Sequence, residues 1–217
     1  MNKSPKLLLV MFVVSCIFSA EFVRADDLKS IQLPPPQTDI GKPLMQALKL
    51  RQSSRSFDSK PLPRQELSNL LWAADGINRP DSGKRTAPSA VNWQEVDVYV
   101  ALPEALYLYQ AKTHTLEPVM GKDLREATGK QDFVKAAPLN LVYVVDMARI
   151  KNASDDDKRL YSSADVGFIA QNVYLYCASQ GLAVVARGSI DRTALSQLMK
   201  LRPDQRIILA QTVGYPK

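Results

Sequence analysis

The chain has 217 residues, of which 46% are hydrophobic and only nine are glycine, so it is long and apolar enough to bury one ample core. That composition excludes disordered and fibrous classes. The net charge of +6 is scattered, with no interleaved basic and aromatic pattern, which argues against a nucleic-acid binder. A single histidine, His114, and two cysteines, Cys16 and Cys177, give no material for a Cys-rich zinc site or an ordinary histidine triad.

At the N-terminus, Lys3 and Lys6 precede an apolar run from Leu7 to Ala20, and Val23-Arg24-Ala25 offers small residues at cleavage spacing. The run is shorter than the roughly 20 residues a membrane span needs, so residues 1–25 read as a secretory signal to the bacterial periplasm or cell envelope. Two alternatives stay open. One is an uncleaved anchor; the other is a lipobox at Val13-Val14-Ser15-Cys16, which would make Cys16 a lipid-modified first residue, although Ile17 and Phe18 continue the apolar run. With Cys16 removed, Cys177 is left alone and no disulfide forms within the chain.

Residues 26–39, with Pro34-Pro35-Pro36, read as an extended lead-in to a domain over residues 40–217. Ile40, Leu44, Ala47 and Leu48 recur at helical spacing, with Asp39 as the expected cap. The helix delivers a basic turn, Arg51-Gln52-Ser53-Ser54-Arg55-Ser56-Phe57. Guanidinium forks, hydroxyls and turn amides suit a phosphate, and on its own the turn reads equally as a solvated basic loop. From Pro63, Leu67, Leu70, Leu71 and Ala74 define a second helix that Gly76 ends, with Trp72 as packing. Residues 78–93 form a long polar stretch between patterned elements, which points to a functional loop.

Val96, Val98 and Val100 alternate as a strand, followed by a second through Leu106 and Leu108 and a meander over Thr113–Val119. His114 reads as a surface residue. Lys122–Lys135 is expected to be helical, Leu139–Val145 a buried strand, and Lys151–Arg159 a solvated connection. Val166, Ile169, Ala170, Val173 and Cys177 mark the strongest helix, closed by Gly181, with Cys177 as a core residue. Leu182–Ala186 is a strand, Asp191 caps a short helix, and Arg206–Val213 is the final strand. Strands and helices mix without regular alternation, which gives an α+β sandwich with helices flanking a mixed or largely antiparallel sheet.

Taken in order, Arg51-x-Ser53-x-Arg55-x-Phe57, Leu67-Ser68-x-x-Leu71-Trp72-Ala73-Ala74, Arg85-Thr86-Ala87-Pro88-Ser89-Ala90-x-Asn92-x-Gln94, Asp165-x-Gly167-x-x-x-Gln171-Asn172, Gly181-Leu182 and Val213-Gly214-Tyr215-Pro216 form a pattern. It resembles the FMN-dependent nitroreductase superfamily over Ile40–Pro216. Two segments, Leu71-Trp72-Ala73-Ala74 and Arg85-Thr86-Ala87-Pro88-Ser89, lean toward its SagB-type, thiazoline/oxazoline-oxidase-like subgroup.

The resemblance implies a nitroreductase-like fold and a homodimer with FMN in two interface sites. Arg51, Ser53 and Arg55 match the turn that holds the phosphate, ribityl chain and pyrimidine edge. Pro88, Ser89, Ala90, Asn92 and Gln94 match a loop that the partner subunit lays against the isoalloxazine. Arg187 and Gly188 match the loop near flavin N5, and Arg55 or Arg85 is the expected cation that tunes the flavin. It implies ping-pong transfer through FMN to a small acceptor such as a quinone or nitroaromatic, with no catalytic residue, histidine, cysteine or metal needed. Glu95 and Val96 stand where many members carry proline and an aromatic. No C-terminal Lys/Arg pair follows Gly214-Tyr215-Pro216, so either Arg51 and Arg187 or Lys217 is expected to carry more of the phosphate, or FMN is expected to bind more loosely than in other members. The absence of a Gly-x-Gly-x-x-Gly segment leaves the donor open. The competing expectation is a flavin-binding module on the same fold that does not turn its cofactor over.

Overall fold

The computed structural model describes residues 28–217; the secretory-signal reading and its Cys16 alternative lie outside the described residues. In chain order the elements are β1 (Ile31–Gln32), α1 (Leu44–Leu50), α2 (Arg64–Asp75), the hairpin of β2 (Ile77–Arg79) and β3 (Lys84–Arg85), β4 (Val96–Ala101), β5 (Leu106–Gln110), β6 (Thr115–Met120), α3 (Phe133–Ala136), β7 (Leu139–Asp146), α4 (Asp155–Gln180), β8 (Ala183–Arg187), α5 (Arg192–Leu198) and β9 (Gln205–Gly214). Seven strands form one sheet in the order β1-β6-β5-β4-β7-β9-β8, with every neighbouring pair antiparallel.

Strand β7 runs through the middle of this sheet, and all eight of its residues are buried, as its near-continuous apolar run requires. Alternation along β4 and β7 sends Val98, Val100, Leu141 and Tyr143 to one face, where α2 and α4 cover them. Tyr99, Ala101, Val142 and Val144 point the other way, toward Leu124, Leu195 of α5 and Met199 just after it. The sheet is thus a central layer between two helical layers, an α+β sandwich. Cys177 is fully buried on α4, and burial pushes its thiol well above the usual range, so it is a core residue.

The lead-in is part of this sandwich. Ile31 and Gln32 pair with β6 at the sheet edge, Leu33 is buried, and the Pro34 carbonyl accepts the Ser68 hydroxyl at 2.6 Å. Ser68 also meets His114 Nε2 at 2.7 Å, while His114 Nδ1 faces the Tyr109 hydroxyl at 2.9 Å. His114 is therefore half-buried and partnered on both nitrogens rather than a free surface group, and burial lowers its pKa.

Three further elements differ from expectation. Helix α1 starts after Pro43, not Asp39, because Gly41 turns the chain with a φ of 88° between them. Of its apolar stripe only Ala47 is buried; Leu44, Met45, Leu48 and Leu50 face outward. The helix expected over Lys122–Lys135 is broken into a 3-10 turn (Glu126–Thr128) and the short α3, with extended Gly129 between them. A Cβ at Gly129 would lie 1.8 Å from the Arg187 guanidinium, so no side chain fits there. Finally, the charged stretch expected as a connection contributes the first turn of α4. Ser154 accepts the Asp157 N–H and returns its hydroxyl to the Asp157 carboxylate, while Asp155, Asp156 and Asp157 favour the helix N-terminus.

Candidate functional site

The basic turn is an extended strap laid across the end of the sandwich. Arg51 follows the last residue of α1, the Ser54 N–H donates to the Val184 carbonyl at 2.9 Å, and Phe57 bridges to Pro216. Tyr174 of α4 is its mooring post. The Arg51 guanidinium lies 5.4 Å from the Tyr174 ring centre, and the Tyr174 hydroxyl meets Ser53 Oγ at 2.9 Å while accepting the Ala186 N–H at 2.8 Å. One side chain therefore binds strap, helix and β8 together, and β8 leads directly to the exposed Gly188. Arg55 and Ser53 are exposed on the outer side of the strap. The arrangement presents fixed cationic and hydroxyl donors to solvent, which suits an anionic ligand.

The second group of candidates is anchored nearer the middle of α4, N-terminal to Tyr174. Ser89 Oγ accepts the Gln94 N–H at 3.0 Å, and the Ala90 N–H donates to Asp165 Oδ2 of α4 at 2.9 Å. Between these anchors Val91, Asn92 and Gln94 all take positive φ, at 49°, 58° and 49°. Asparagine tolerates that region, whereas a β-branched valine there is strained. Val91 is nevertheless 85% exposed and Pro88 and Asn92 are exposed beside it, so in this chain alone the strain secures no packing. From Asp165 to Tyr174 is nine residues of helix, an axial rise of about 14 Å. Within one protomer α4 thus separates the loop's anchor from the strap's.

Arg85 and Arg187 are placed differently from the sequence reading. Arg85 donates to the Asp75 carboxylate at 2.9 Å, to the Asp75 carbonyl at 2.8 Å and to Gln94 Oε1 at 3.1 Å. Its charge is committed to Asp75, and it serves as a brace between the end of α2 and the loop. Burial pushes Asp75 up to about 7 against the attraction of Arg85. Arg187 is only 4% exposed and points into the protein, donating to the Thr128 carbonyl (2.7 Å), Asn140 Oδ1 (3.0 Å) and Thr212 Oγ1 (2.9 Å). Its guanidinium is a structural rivet, and the expectation that it helps carry a phosphate is corrected. Desolvation lowers its pKa to about 10.

Beneath the loop lies Glu95, fully buried, with no N–H or hydroxyl donor among the described residues reaching either carboxyl oxygen. Burial raises its pKa to about 7, and the neighbouring Asp165 carboxyl adds to the rise. Tyr174, Asp75, Glu95 and Asp165 were not singled out as site residues from sequence. A signal existed for Asp165, an acid embedded in the apolar stripe of Val166, Ile169 and Val173; nothing in the periodicity marks the Tyr174 hydroxyl.

A pocket of about 220 Å³ opens beside the strap, lined among others by Gln52, Ser54, Gly181 and Val184. Enclosed small-molecule sites run to roughly 300–1,000 Å³, so one protomer does not enclose a cofactor-sized ligand at the strap.

The sequence profile described as the nitroreductase family matches residues 48–215, which spans the strap, the loop and β9. The chain belongs to the nitroreductase family. A protein assigned to the nitroreductases in Methanocaldococcus jannaschii, MJ1384, is 32% identical over 187 residues, covering 81% of this chain and 92% of that protein. A crystal structure from Ralstonia eutropha, also assigned to the nitroreductases, is 47% identical with a TM-score of 0.83, covering 87% of this chain and 90% of the other. The NADPH:FMN oxidoreductase of Vibrio harveyi shares the fold, with a TM-score of 0.62 at 19% identity over 80% of this chain and 69% of its own. In this nitroreductase β4 to β9, helices α2 to α5 and the strap occupy the family-matched region, while β1, the proline-rich lead-in and the first turn of α1 precede it.

Proposed function

We propose that this nitroreductase is an FMN-dependent oxidoreductase that works as a homodimer, each site combining one protomer's Arg51–Phe57 strap with the partner's Pro88–Gln94 loop. The observation that carries this reading is the separation of the two half-sites along α4, each exposed and each incomplete in one chain. Supporting it, α1 and α4 expose an unusual apolar surface: Leu44 is 62% and Met45 75% exposed, and Leu160, Tyr161 and Phe168 stand out from α4. Burying these side chains against a second copy would bring strap and loop together and give Val91 something to pack on.

The residues present fit the cofactor's chemistry. Arg51, Ser53 and Arg55 supply a cation pair and a hydroxyl for the phosphate, ribityl chain and pyrimidine edge, with Tyr174 fixing the first two. Bound FMN supplies reversible hydride and electron transfer, for which the protein provides binding, orientation and electrostatics. With Arg85 engaged by Asp75 and Gln94, Arg55 is the remaining candidate to favour the reduced, negatively charged form. Exposed Gly188, which has no side chain, leaves its backbone open to close approach. The loop over Pro88–Gln94 excludes water from the partner's site and borders the place where a small organic acceptor, a quinone or nitroaromatic, would lie.

The segments Leu71-Trp72-Ala73-Ala74 and Arg85-Thr86-Ala87-Pro88-Ser89 support placing the protein near the SagB-type members. We also propose export of the chain after removal of residues 1–25, which mass spectrometry of the processed N-terminus would test. Among the described residues no helix is long and apolar enough to cross a membrane. The functional reading is tested by steady-state assays with artificial donors and acceptors. Turnover by the FMN-loaded protein above that of free FMN supports it; binding without such turnover would mean a flavin carrier.

A further inference from the structure

Glu95 is buried in a place where an ionised carboxylate has no reason to be. It sits between left-handed Gln94 and β4, its backbone carbonyl accepts the Asp146 N–H at 2.9 Å, and among the described residues no N–H or hydroxyl donor reaches either side-chain oxygen. The charged groups around it come from three other elements. Asp165 of α4 lies against it and opposes its ionisation. Asp75, at the end of α2, opposes ionisation too but is held by Arg85. Arg149, in the turn after β7, attracts it but is already engaged by Asp97 at 2.7 Å, by Asp146 at 3.4 Å and by the Gln94 carbonyl at 3.1 Å. Among the described residues no cation is left to serve Glu95.

Two neighbouring buried carboxyls without a dedicated cation share a proton rather than carry two charges. The hydrogen bonds decide where it sits. Asp165 Oδ2 accepts the Ala90 N–H, which a carboxylate oxygen meets better than an acid does, whereas no N–H or hydroxyl donor among the described residues reaches Glu95; the shared proton is therefore assigned to the Glu95 carboxylic acid.

We propose that Glu95 is a positioning residue: as the neutral acid it donates to Asp165, which in turn grips Ala90 and keeps the Val91–Gln94 loop in its left-handed form. Loss of that proton sets two anions side by side in the interior, breaks the Asp165–Ala90 grip and loosens the loop. The loop's relevance to a cofactor rests on the flavin reading above; the proton and the grip do not. Trp93 makes the grip visible, because it belongs to this loop and meets Tyr161 edge-on with ring centres 6.1 Å apart.

The test is Trp93 fluorescence against pH in a Trp72→Phe background, using the full chain from Asp26, without flavin and then with FMN added. Over about pH 5 to 9 the emission should titrate as one group with a midpoint near neutrality, within the reach of burial on a carboxyl. Glu95→Gln keeps a donor toward Asp165 but cannot ionise, and its emission should stay at the low-pH value throughout. Asp165→Asn removes the opposing carboxylate and should move the midpoint down by about one pH unit or more. Because Asp75 also titrates near neutrality and reaches the loop through Arg85 and Gln94, every arm carries Asp75→Asn, and a one-group titration should remain in that background. A flat trace in the unaltered loop, an unmoved midpoint in Asp165→Asn, or a titration persisting in Glu95→Gln would overturn the proposal. If Glu95→Gln does not fold, the first two measurements still decide. A titration that appears without flavin in a protein that binds no FMN would sink the functional reading and leave this one standing.

Discussion

Replacing Arg187 separates an internal rivet from a ligand-binding arginine. Its guanidinium makes four contacts, to the Thr128 carbonyl and hydroxyl, Asn140 Oδ1 and Thr212 Oγ1, and it is shut off from solvent. Arg187→Met keeps the bulk and removes the donors. Asn140 Oδ1 still accepts from Thr212 at 2.6 Å, so the Thr128 carbonyl is the one orphaned acceptor, at a cost of about 1–3 kcal/mol. Arg187→Ala adds an unfilled volume beside Gly129 and should cost about 3–5 kcal/mol, in the range of large-to-small core changes. For a domain of this length that lowers the melting temperature by roughly 6–20 °C. Urea unfolding of flavin-free protein, followed by circular dichroism, measures the effect. An Arg187→Ala variant within about 0.5 kcal/mol of the parent, with flavin affinity lost instead, would show that the side chain turns outward and that the rivet is wrong.

Four other outcomes are expected. Arg51→Ala removes the cation stacked on Tyr174 and should weaken FMN binding by roughly 10- to 100-fold, the loss of about 1.4–3 kcal/mol of charge-assisted contact, read by flavin fluorescence titration. Asp75 binds its proton more tightly folded than unfolded, so its contribution to stability is largest below about pH 4 and is lost as pH rises to about 7. Asp75→Asn should flatten that slope in urea midpoints measured across the range. His114 has the opposite sign: its lowered folded pKa makes its contribution full above the unfolded value of about 6.5 and lost as pH falls below it. His114→Gln should shrink that acid-side loss. Val91→Asn relieves a β-branched residue at φ 49° and should raise the stability of the isolated protomer by about 1 kcal/mol, unless pairing with a second copy buries the valine, in which case the dimer weakens.

Much of the sandwich could be read from periodicity. The apolar run Leu139–Val145 could only be a doubly covered strand, and β7 sits at the heart of the sheet. The Val166–Cys177 stripe located the buried face of α4, but the helix begins eleven residues before Val166, because Ser154 and Asp157 cap each other in a stretch whose charge looked like a loop. The Lys122–Lys135 helix failed for a tertiary reason: Gly129 is held extended where the Arg187 guanidinium passes. The α1 stripe had the right spacing and the wrong inference, since periodicity reports an apolar face but not whether its cover belongs to the same chain. At the site, sequence order named the strap and the loop, yet could not show that α4 holds them apart. It also could not show that Arg85 turns onto Asp75 across the end of α2 and the hairpin, or that Arg187 spends its charge internally on Thr128 and Asn140, which lie far away in sequence.

The central claim, FMN held between two copies, is tested most directly by adding FMN to the purified chain and following protein and flavin absorbance together through size-exclusion chromatography with light scattering. The account predicts a dimer that carries flavin at one FMN per protomer, with a melting temperature that rises with FMN concentration. A protein that elutes as a monomer, retains no flavin absorbance and melts at the same temperature with and without FMN would contradict it.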